Sequence, residues 1–499
     1  MTVTVSSASP AANKPGKATE ALGIGCVALF FLPFAIAGGI LLTQSGRWLA
    51  QGNWREGLLL AGGGVLFGAV GLAGMAAMWA GRRKLQDQTE LRSKNPDQPW
   101  RWQRDWAADR IEDSSRGTLW TSWAFAVFWN MIAFPSGYLG VQAALRQGQP
   151  GGYVALIFPA VGTGLLVWAV RATIRYRKYG VSRFELSTIP AAIGHSLAGT
   201  VRVTTIIESQ EGFLATLSCV RRVTSGSGKS RSTSETLLWQ DQRRAAGGRA
   251  RDAAGWRTDI PIQFRIPAEA ESCSLGDPDN RVLWRLTVSA SVPGVDYSSV
   301  FDIPVFRTEA SAAPPTESEI RLAAEQARAL AEYRPPADSR IQVIANSQGT
   351  EILFPPARNP GAASGVTTFT LIWGGICWGL VHYRAPLVFP VVFGAFELLL
   401  LWISLQLWLG VSRVTAGPGK LLLAKGIGFP GRERRLPSAE VADVIAAIGM
   451  QAGSIPFYDV VIQQKDGKKV TAGSSVRDKQ EAEWLAVTIK RALGLTTSA

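Results

Sequence analysis

Histidine and cysteine are scarce in this chain of 499 residues: His195 and His382 are the two histidines, and Cys26, Cys219, Cys273 and Cys377 the four cysteines. The cysteines lie far apart and form no CxxC pair, which argues against a zinc ribbon or a disulfide framework. Two histidines are too few for histidine-rich metal chemistry. Charge is sparse as well, at 18% of residues, and lopsided, with 52 Lys and Arg against 38 Asp and Glu. The pair of aspartates in "LGDPDN" lacks the spaced acidic set of a calcium loop and reads as a turn.

Apolar residues are abundant instead: 47% of the chain is hydrophobic, and 18 residues are Trp. That is rich for a soluble protein and too polar for one that lies wholly in a membrane. The net charge of +14 suits an anionic membrane face or nucleic acid. The length allows roughly two to four units of about 150 residues.

Six runs are long and apolar enough to cross a hydrocarbon core of about 30 Å, which takes about 17 to 25 helical residues. They are residues 21–42, 57–80, 119–139, 153–170, 366–382 and 386–409. Only "YRA" separates the last two, which read as a tight helical hairpin. The first lacks a convincing small-residue cleavage site and a second run follows at once, so it reads as a signal anchor. Lysine and arginine set the orientation. Nine of them lie between the second and third runs and five in "RATIRYRKYGVSR", whereas the opposite connections hold only Arg47, Arg55, Arg146 and Arg384. The expectation is a bacterial inner-membrane protein with both termini and every large polar region in the cytoplasm.

The stretch "PDQPWRWQRDW" at 96–106 then falls on the cytoplasmic side, shortly before the third run. Read as a helix, it puts Trp102 and Trp106 on one face at i,i+4 and pairs Arg101 with Asp105. Indoles favour the headgroup region and arginines suit anionic phosphates. Trp100, Trp102, Trp106, Arg101 and Arg104 are therefore expected at the membrane interface. A contact with a partner or with the chain's own cytoplasmic domains stays open. A nucleic-acid platform needs a more extended set of stacking rings.

Strand periodicity appears between about residues 180 and 306. Ile260, Ile262, Phe264 and Ile266 alternate, as do Val282, Trp284, Leu286, Val288 and Ala290, then Phe301, Ile303 and Val305. Several such strands between turns imply a β-sandwich. The Gly-, Ser- and Arg-rich stretch that begins "RRVTSGSGKS" reads as a long mobile hairpin or loop. The pattern "SLAGTVRV", "IPIQFRIP", "WRLTVSASVPGVDYSSVFDIPVF" resembles the arrestin-like sandwich, which implies binding or scaffolding in place of catalysis. The whole layout resembles a family of uncharacterised bacterial polytopic inner-membrane proteins. "PTESEIRLAAEQARALAEY" reads as an amphipathic helix carrying Ile320, Leu322, Ala323, Ala327 and Leu330. A strand pair around "RIQVIANSQGTEILFPP" leads to the fifth run. After the sixth come strands with an Asp466-Gly467 hairpin turn and a closing helix with Ala482, Leu485, Ala486, Ile489 and Leu493 inward. That order resembles bacterial pleckstrin-homology-like modules.

Catalytic motifs do not assemble. "GSGKS" ends as a phosphate loop does, but Val223 stands where its first glycine belongs. "GIGFPG" satisfies GxGxxG, yet no βαβ unit surrounds it, and it reads as a turn. His195 has no recognisable nucleophile or acid partner. Cys219 alternates with Phe213, Ala215 and Leu217 as a core thiol. The odd residue is Glu397, near the middle of the sixth run, where a carboxylate costs a few kcal/mol on insertion scales. Gln406 lies further along that run and Asn130 within the third. An ion-coupling role and a hydrogen-bonding role between helices compete, and the lone acid favours the second.

The expected fold is a six-helix transmembrane bundle with a cytoplasmic all-β sandwich and a small C-terminal α+β module. The expected units are a disordered tail at 1–20, spans at 21–80, the Trp/Arg segment at 81–117 and spans at 118–171. The sandwich follows at 180–307, a helix and strand linker at 308–365, spans at 366–410 and the C-terminal module at 411–499. The expected function is a membrane scaffold or binding protein, not an enzyme, with no cofactor, metal or nucleotide. Its expected partners are an anionic cytoplasmic leaflet and a protein bound through the cytoplasmic domains, with no nucleic acid. A transporter or channel subunit using Glu397 is the alternative, and a membrane-bound enzyme the third reading.

Overall fold

The computed structural model describes residues 17–495, apart from 108–109, 149, 227–230, 254, 278, 336–338, 347–348, 383, 385, 430, 432 and 453–454, with backbone alone at 17–31, 77, 84, 150, 252, 452 and 455. Most of the expected tail, "GSGKS" beyond Gly226 and one residue each of "LGDPDN" and "GIGFPG" thus lie outside the described residues.

Helices run in chain order as α1 (Lys17–Ala50), α2 (Trp54–Lys94), α3 (Arg104–Ala107), α4 (Ser115–Gln147), α5 (Ile157–Tyr179), α6 (Glu317–Ala331), α7 (Pro360–His382), α8 (Val388–Leu409) and α9 (Lys479–Ala492). Among the described residues α2, α4, α5 with the turn before it, α7 and α8 are long and apolar enough to cross a membrane, five helices against the six expected. The expected first span lies within α1, where described side chains begin at Leu32. An α-helix satisfies its own backbone polar groups, which is what lets such runs stand in hydrocarbon.

The long helices pair as antiparallel hairpins. In lipid there is no hydrophobic force between helices, so close packing of small residues has to hold them. A Cβ on Gly38 would collide with the backbone of Gly68, and one on Gly71 with Ala35, so glycine is what lets α1 and α2 touch. Between α4 and α5, Asn130 Nδ2 donates to the Gly162 carbonyl at 2.9 Å. Between α7 and α8, Trp373 Nε1 donates to the Phe393 carbonyl at 3.1 Å, and the two rings stack with centroids 4.9 Å apart.

The first β domain contains β1 (Ile111–Glu112), β2 (Arg183–Leu186), β3 (Ala191–Ala192), β4 (Ser196–Val203), β5 (Phe213–Ser225), β6 (Ser232–Ala245), β7 (Gly248–Asp252), β8 (Gly255–Arg265), β9 (Asn280–Ala290), β10 (Tyr297–Ile303) and β11 (Val305–Phe306). One sheet has the order β1-β2-β4-β8-β7 and the facing sheet β10-β9-β5-β6, while β3 and β11 form a short parallel pair. The alternating residues of β8, β9 and β10 all point into one shared core, as their period of two requires. Full burial of such side chains contributes about 1.5–3 kcal/mol each. Of the hairpin or loop expected at the Gly-, Ser- and Arg-rich stretch, the structure has the hairpin: β5 and β6 pair from Phe213 with Ala245 to Ser225 with Ser232.

The second β domain contains β12 (Gln342–Asn346), β13 (Gly349–Phe354), β14 (Gly410–Gly417), β15 (Lys420–Ile427), β16 (Glu433–Pro437), β17 (Val441–Ala452), β18 (Ile455–Gln464) and β19 (Lys469–Val476). The first five make one antiparallel sheet in sequence order and the last three another. Helix α9 buries Ala482, Leu485, Ala486 and Ile489 in the core they share, and Leu493 just past its end joins them. Gly467 has φ +83° in the turn between β18 and β19, the left-handed backbone that glycine tolerates. Strand β13 pairs directly with β14, Phe354 opposite Ser412, so the α7–α8 hairpin is an insertion in this sheet. The expected cut between a 308–365 linker and a 411–499 module runs through one sheet, because long-range pairing joins the two sides of the hairpin.

Candidate functional site

The Trp/Arg segment is not a continuous helix. A 3-10 turn at Pro99–Arg101 gives way to the single turn α3. Trp106 is 2% exposed inside the sandwich core, and its Nε1 donates to the Asp302 carbonyl at 2.9 Å. The ring of Trp106 meets Phe306 edge-on at 6.1 Å, and Trp100 packs on the same Phe306 at 5.8 Å. Trp102 is half-buried, donates to the Asn95 carbonyl at 2.8 Å and carries the Arg92 guanidinium over its ring at 4.7 Å. Arg104 pairs with Asp87 of α2 at 3.0 Å, and Arg101 is exposed. The expected placement of Trp106 in a headgroup layer is therefore corrected. A ring enclosed by β-strands cannot also face lipid, and the chain's own sandwich is the partner.

The sandwich also holds three helix ends. At the end of α2, Arg92 donates to the Leu275 carbonyl at 2.9 Å. At the end of α5, Tyr179 Oη donates to the Val295 carbonyl at 2.6 Å, and Lys178 to the Pro293 carbonyl at 3.1 Å. At the start of α4, Asp113 accepts from the Ser299 hydroxyl at 3.0 Å and from Ser115 Oγ at 2.7 Å. The Ser299 hydroxyl also lies 3.0 Å from Ser182 Oγ, which accepts from Tyr297 Oη at 3.0 Å. Burial pushes the Tyr297 phenol up to about 12, so it stays a neutral donor.

The sandwich also meets the rest of the chain. Glu319, at the third position of α6, accepts from Thr316 N at 2.7 Å and Ser196 N at 2.6 Å and faces His195 Nδ1 at 3.2 Å. Burial opposes its ionisation, but these backbone donors, with the Thr316 hydroxyl and His195, win and hold it at about 2. His195 thus ties α6 to β4. Helix α6 buries Glu319 while Ile320 is 57% exposed, so the apolar stripe expected to pack does not lead that contact. Lys479 of α9 reaches Asp241 of β6 at 3.2 Å and lies over the Trp239 ring. Burial pushes the Cys219 and Cys273 thiols up to about 12, which leaves them unreactive core groups.

The three intramembrane polar residues are not brought together. Asn130 is used between α4 and α5. Glu397 lies on α8 against Gly374 of α7, where an added Cβ would stand 3.1 Å from Glu397 Oε1, and its Oε2 is buried without a hydrogen bond. Gln406 is exposed at the end of α8 and lines a cavity.

That cavity, of about 480 Å³, lies where the α7–α8 hairpin joins the second β domain. Arg358, Lys425, Ser412, Ser474 and Asn359 supply its polar wall, and Trp402, Ile403, Leu407, Ile427 and Met450 its apolar wall. Arg358 donates weakly to Ser474 Oγ at 3.4 Å and to the Pro355 carbonyl at 3.3 Å, while its Nε has no partner. Ser412 is 3% exposed and its hydroxyl has no partner either. Burial lowers both the Arg358 guanidinium and the Lys425 ammonium from their ordinary values. Burial likewise raises the nearby Asp459 carboxyl, whose Oδ1 accepts from Ser475 N at 2.9 Å.

No protein-family model and no curated protein matches the chain. Among solved structures the chain is similar to Spo0M, a sporulation control protein from Bacillus subtilis, at 12% identity over 52% of this chain and 90% of that one, with a TM-score of 0.18. A TM-score that low carries no argument about fold or role.

Sequence reasoning passed over Arg358 and Lys425. Each is one cation among many near a span end, and the antiparallel pairing of β13, β14 and β15 is what brings them to one cavity. The available signal was weak: a cation immediately before the fifth span, and another near the end of a strand that follows the sixth.

Proposed function

We propose that the protein is a membrane-anchored scaffold or binding protein that holds its two β domains as one platform on the cytoplasmic face of a bacterial inner membrane. On this reading the first domain is an arrestin-like sandwich and the second a pleckstrin-homology-like module, and α1 supplies a sixth span. The observation that carries it is the seating of three helix ends on the sandwich, through Arg92, Asp113 and Tyr179, beside the buried Trp106. A domain fixed at so many points keeps one orientation relative to the bilayer, which favours presenting a surface to a partner. No catalytic step is assigned. The cation asymmetry of the connections supports the cytoplasmic orientation.

A second reading, a transporter subunit, is favoured by one observation, the unpartnered Glu397 Oε2 beside the small Gly374. Proximity labelling from the sandwich in cells, together with solute or ion flux in proteoliposomes, separates the two. A defined set of labelled cytoplasmic neighbours, unchanged by Glu397→Gln, is expected. Flux through the purified protein that Glu397→Gln abolishes would replace the scaffold with the transporter.

A further inference from the structure

We infer that the cavity at the base of the α7–α8 hairpin is a phosphate-binding site that takes the headgroup of an anionic phospholipid. The inference is independent of the scaffold reading, since it concerns a ligand of the second β domain whatever the platform displays.

The polar wall is built for an anion. Arg358 is half-buried in the cavity wall, Lys425 stands exposed at its rim, and Asp459 is the acid beside them. Two cations against one carboxylate leave an excess positive charge at the cavity, which attracts an anion. The donors are also unspent. Arg358 Nε and the Ser412 hydroxyl are buried and unbonded, and the contacts of the Arg358 fork at 3.3 and 3.4 Å are long for charge-assisted hydrogen bonds. A phosphate oxygen can accept from a guanidinium, an ammonium and a hydroxyl at once, so one group supplies both the missing charge and the missing acceptors.

Position selects a lipid over a soluble ester. The opposite wall is the last turns of α8, with Trp402 54% exposed. Gly428 N donates to the Leu409 carbonyl at 2.7 Å and so holds the β15–β16 turn against the end of the span, with Phe429 76% exposed at its tip. An indole and a phenyl ring flanking a cationic recess at a span end match the change from headgroup to acyl chain. A soluble phosphate would leave the apolar wall unused.

The test uses the full chain in nanodiscs of phosphatidylcholine, alone or with phosphatidylglycerol, and reads thermal unfolding and the phospholipid retained in native mass spectrometry. Phosphatidylglycerol should be retained in preference to phosphatidylcholine and should raise the unfolding temperature. Lys425→Gln and Ser412→Ala should each reduce that preference, about tenfold for the cation, with the fold checked by circular dichroism and size-exclusion chromatography. Arg434→Gln and Arg435→Gln remove exposed cations from the neighbouring β16 and should leave the preference intact. Inorganic phosphate added to phosphatidylcholine nanodiscs is the other arm. Stabilisation there that Lys425→Gln abolishes, without a phosphatidylglycerol preference, would overturn the lipid and leave a soluble phosphate. No preference and no phosphate effect would overturn the site, as would equal losses in the β16 variants.

Discussion

The two β domains treat their buried hydroxyls in opposite ways. In the sandwich, Ser182, Ser299, Tyr297 and Thr258 are bonded to one another, to Asp113 or to backbone. In the second domain, Ser412 and Tyr458 are equally enclosed, yet their hydroxyls have no partner. A buried polar group without a hydrogen bond costs about 1–3 kcal/mol, so the second domain carries two such costs that the sandwich's bonded hydroxyls avoid. The sandwich spends its polar groups on fixing its place against α2, α4 and α5. The second domain, split by the α7–α8 hairpin, leaves the Ser412 hydroxyl open beside the end of α8.

The largest effect is expected where the sandwich is fastened. Trp106→Ala removes a ring from the core and the bond to Asp302, and large aromatic truncations cost about 3–5 kcal/mol. Thermal unfolding followed through the sandwich should show that loss, while the second domain keeps its stability. An equal loss in both would mean that they unfold as one unit.

The seam at Glu319 is expected to come next, and it is pH-dependent. Its folded value of about 2 lies below the ordinary 4.5, so its contribution is present above about 4.5 and fades as pH falls toward 2. The size is about 3 kcal/mol at most at pH 7. Glu319→Gln should therefore destabilise the chain clearly at pH 7, and the gap from the parent should narrow below pH 4 in chemical denaturation. A gap independent of pH would remove the carboxylate from the account of this seam.

Smaller changes follow. Lys479→Met breaks the pair with Asp241 between α9 and β6, and about 1 kcal/mol is expected for a pair that keeps some exposure. In the membrane, Glu397→Leu should weaken helix association by about 1 kcal/mol at most, and Glu397→Gln should be nearly silent. Crosslinking between α7 and α8 reads both. A folded Gln variant that has lost a transport activity would make the hairpin, and not the sandwich, the working part.

Much of this was legible in the sequence. Ile260, Ile262, Phe264 and Ile266 are all buried, as their alternation required, and so are the inward residues of α9. Such patterns are local, and burial follows from the period of the element. What was illegible is long-range. Trp106 near a cation-rich span end has the same local signature whether it faces lipid or protein, and only its bond to Asp302, 196 residues away, decides between them. The cavity is hidden for the same reason, since Arg358 and Lys425 meet only through the pairing of β13 to β15. The exposed Ile320 on α6 shows the converse, a pattern that was readable but not used for packing.

The claim that the sandwich clamps the tryptophan segment is tested most directly by hydrogen exchange of the full chain in nanodiscs. The amides of Trp106 and Ala107, and those of Ile111 and Glu112 on β1 opposite Phe184 and Arg183, are expected to exchange nearly as slowly as β10. Exchange of this stretch at the rate of an unstructured peptide, with β9 and β10 still protected, would contradict the clamp and return the tryptophans to the membrane surface.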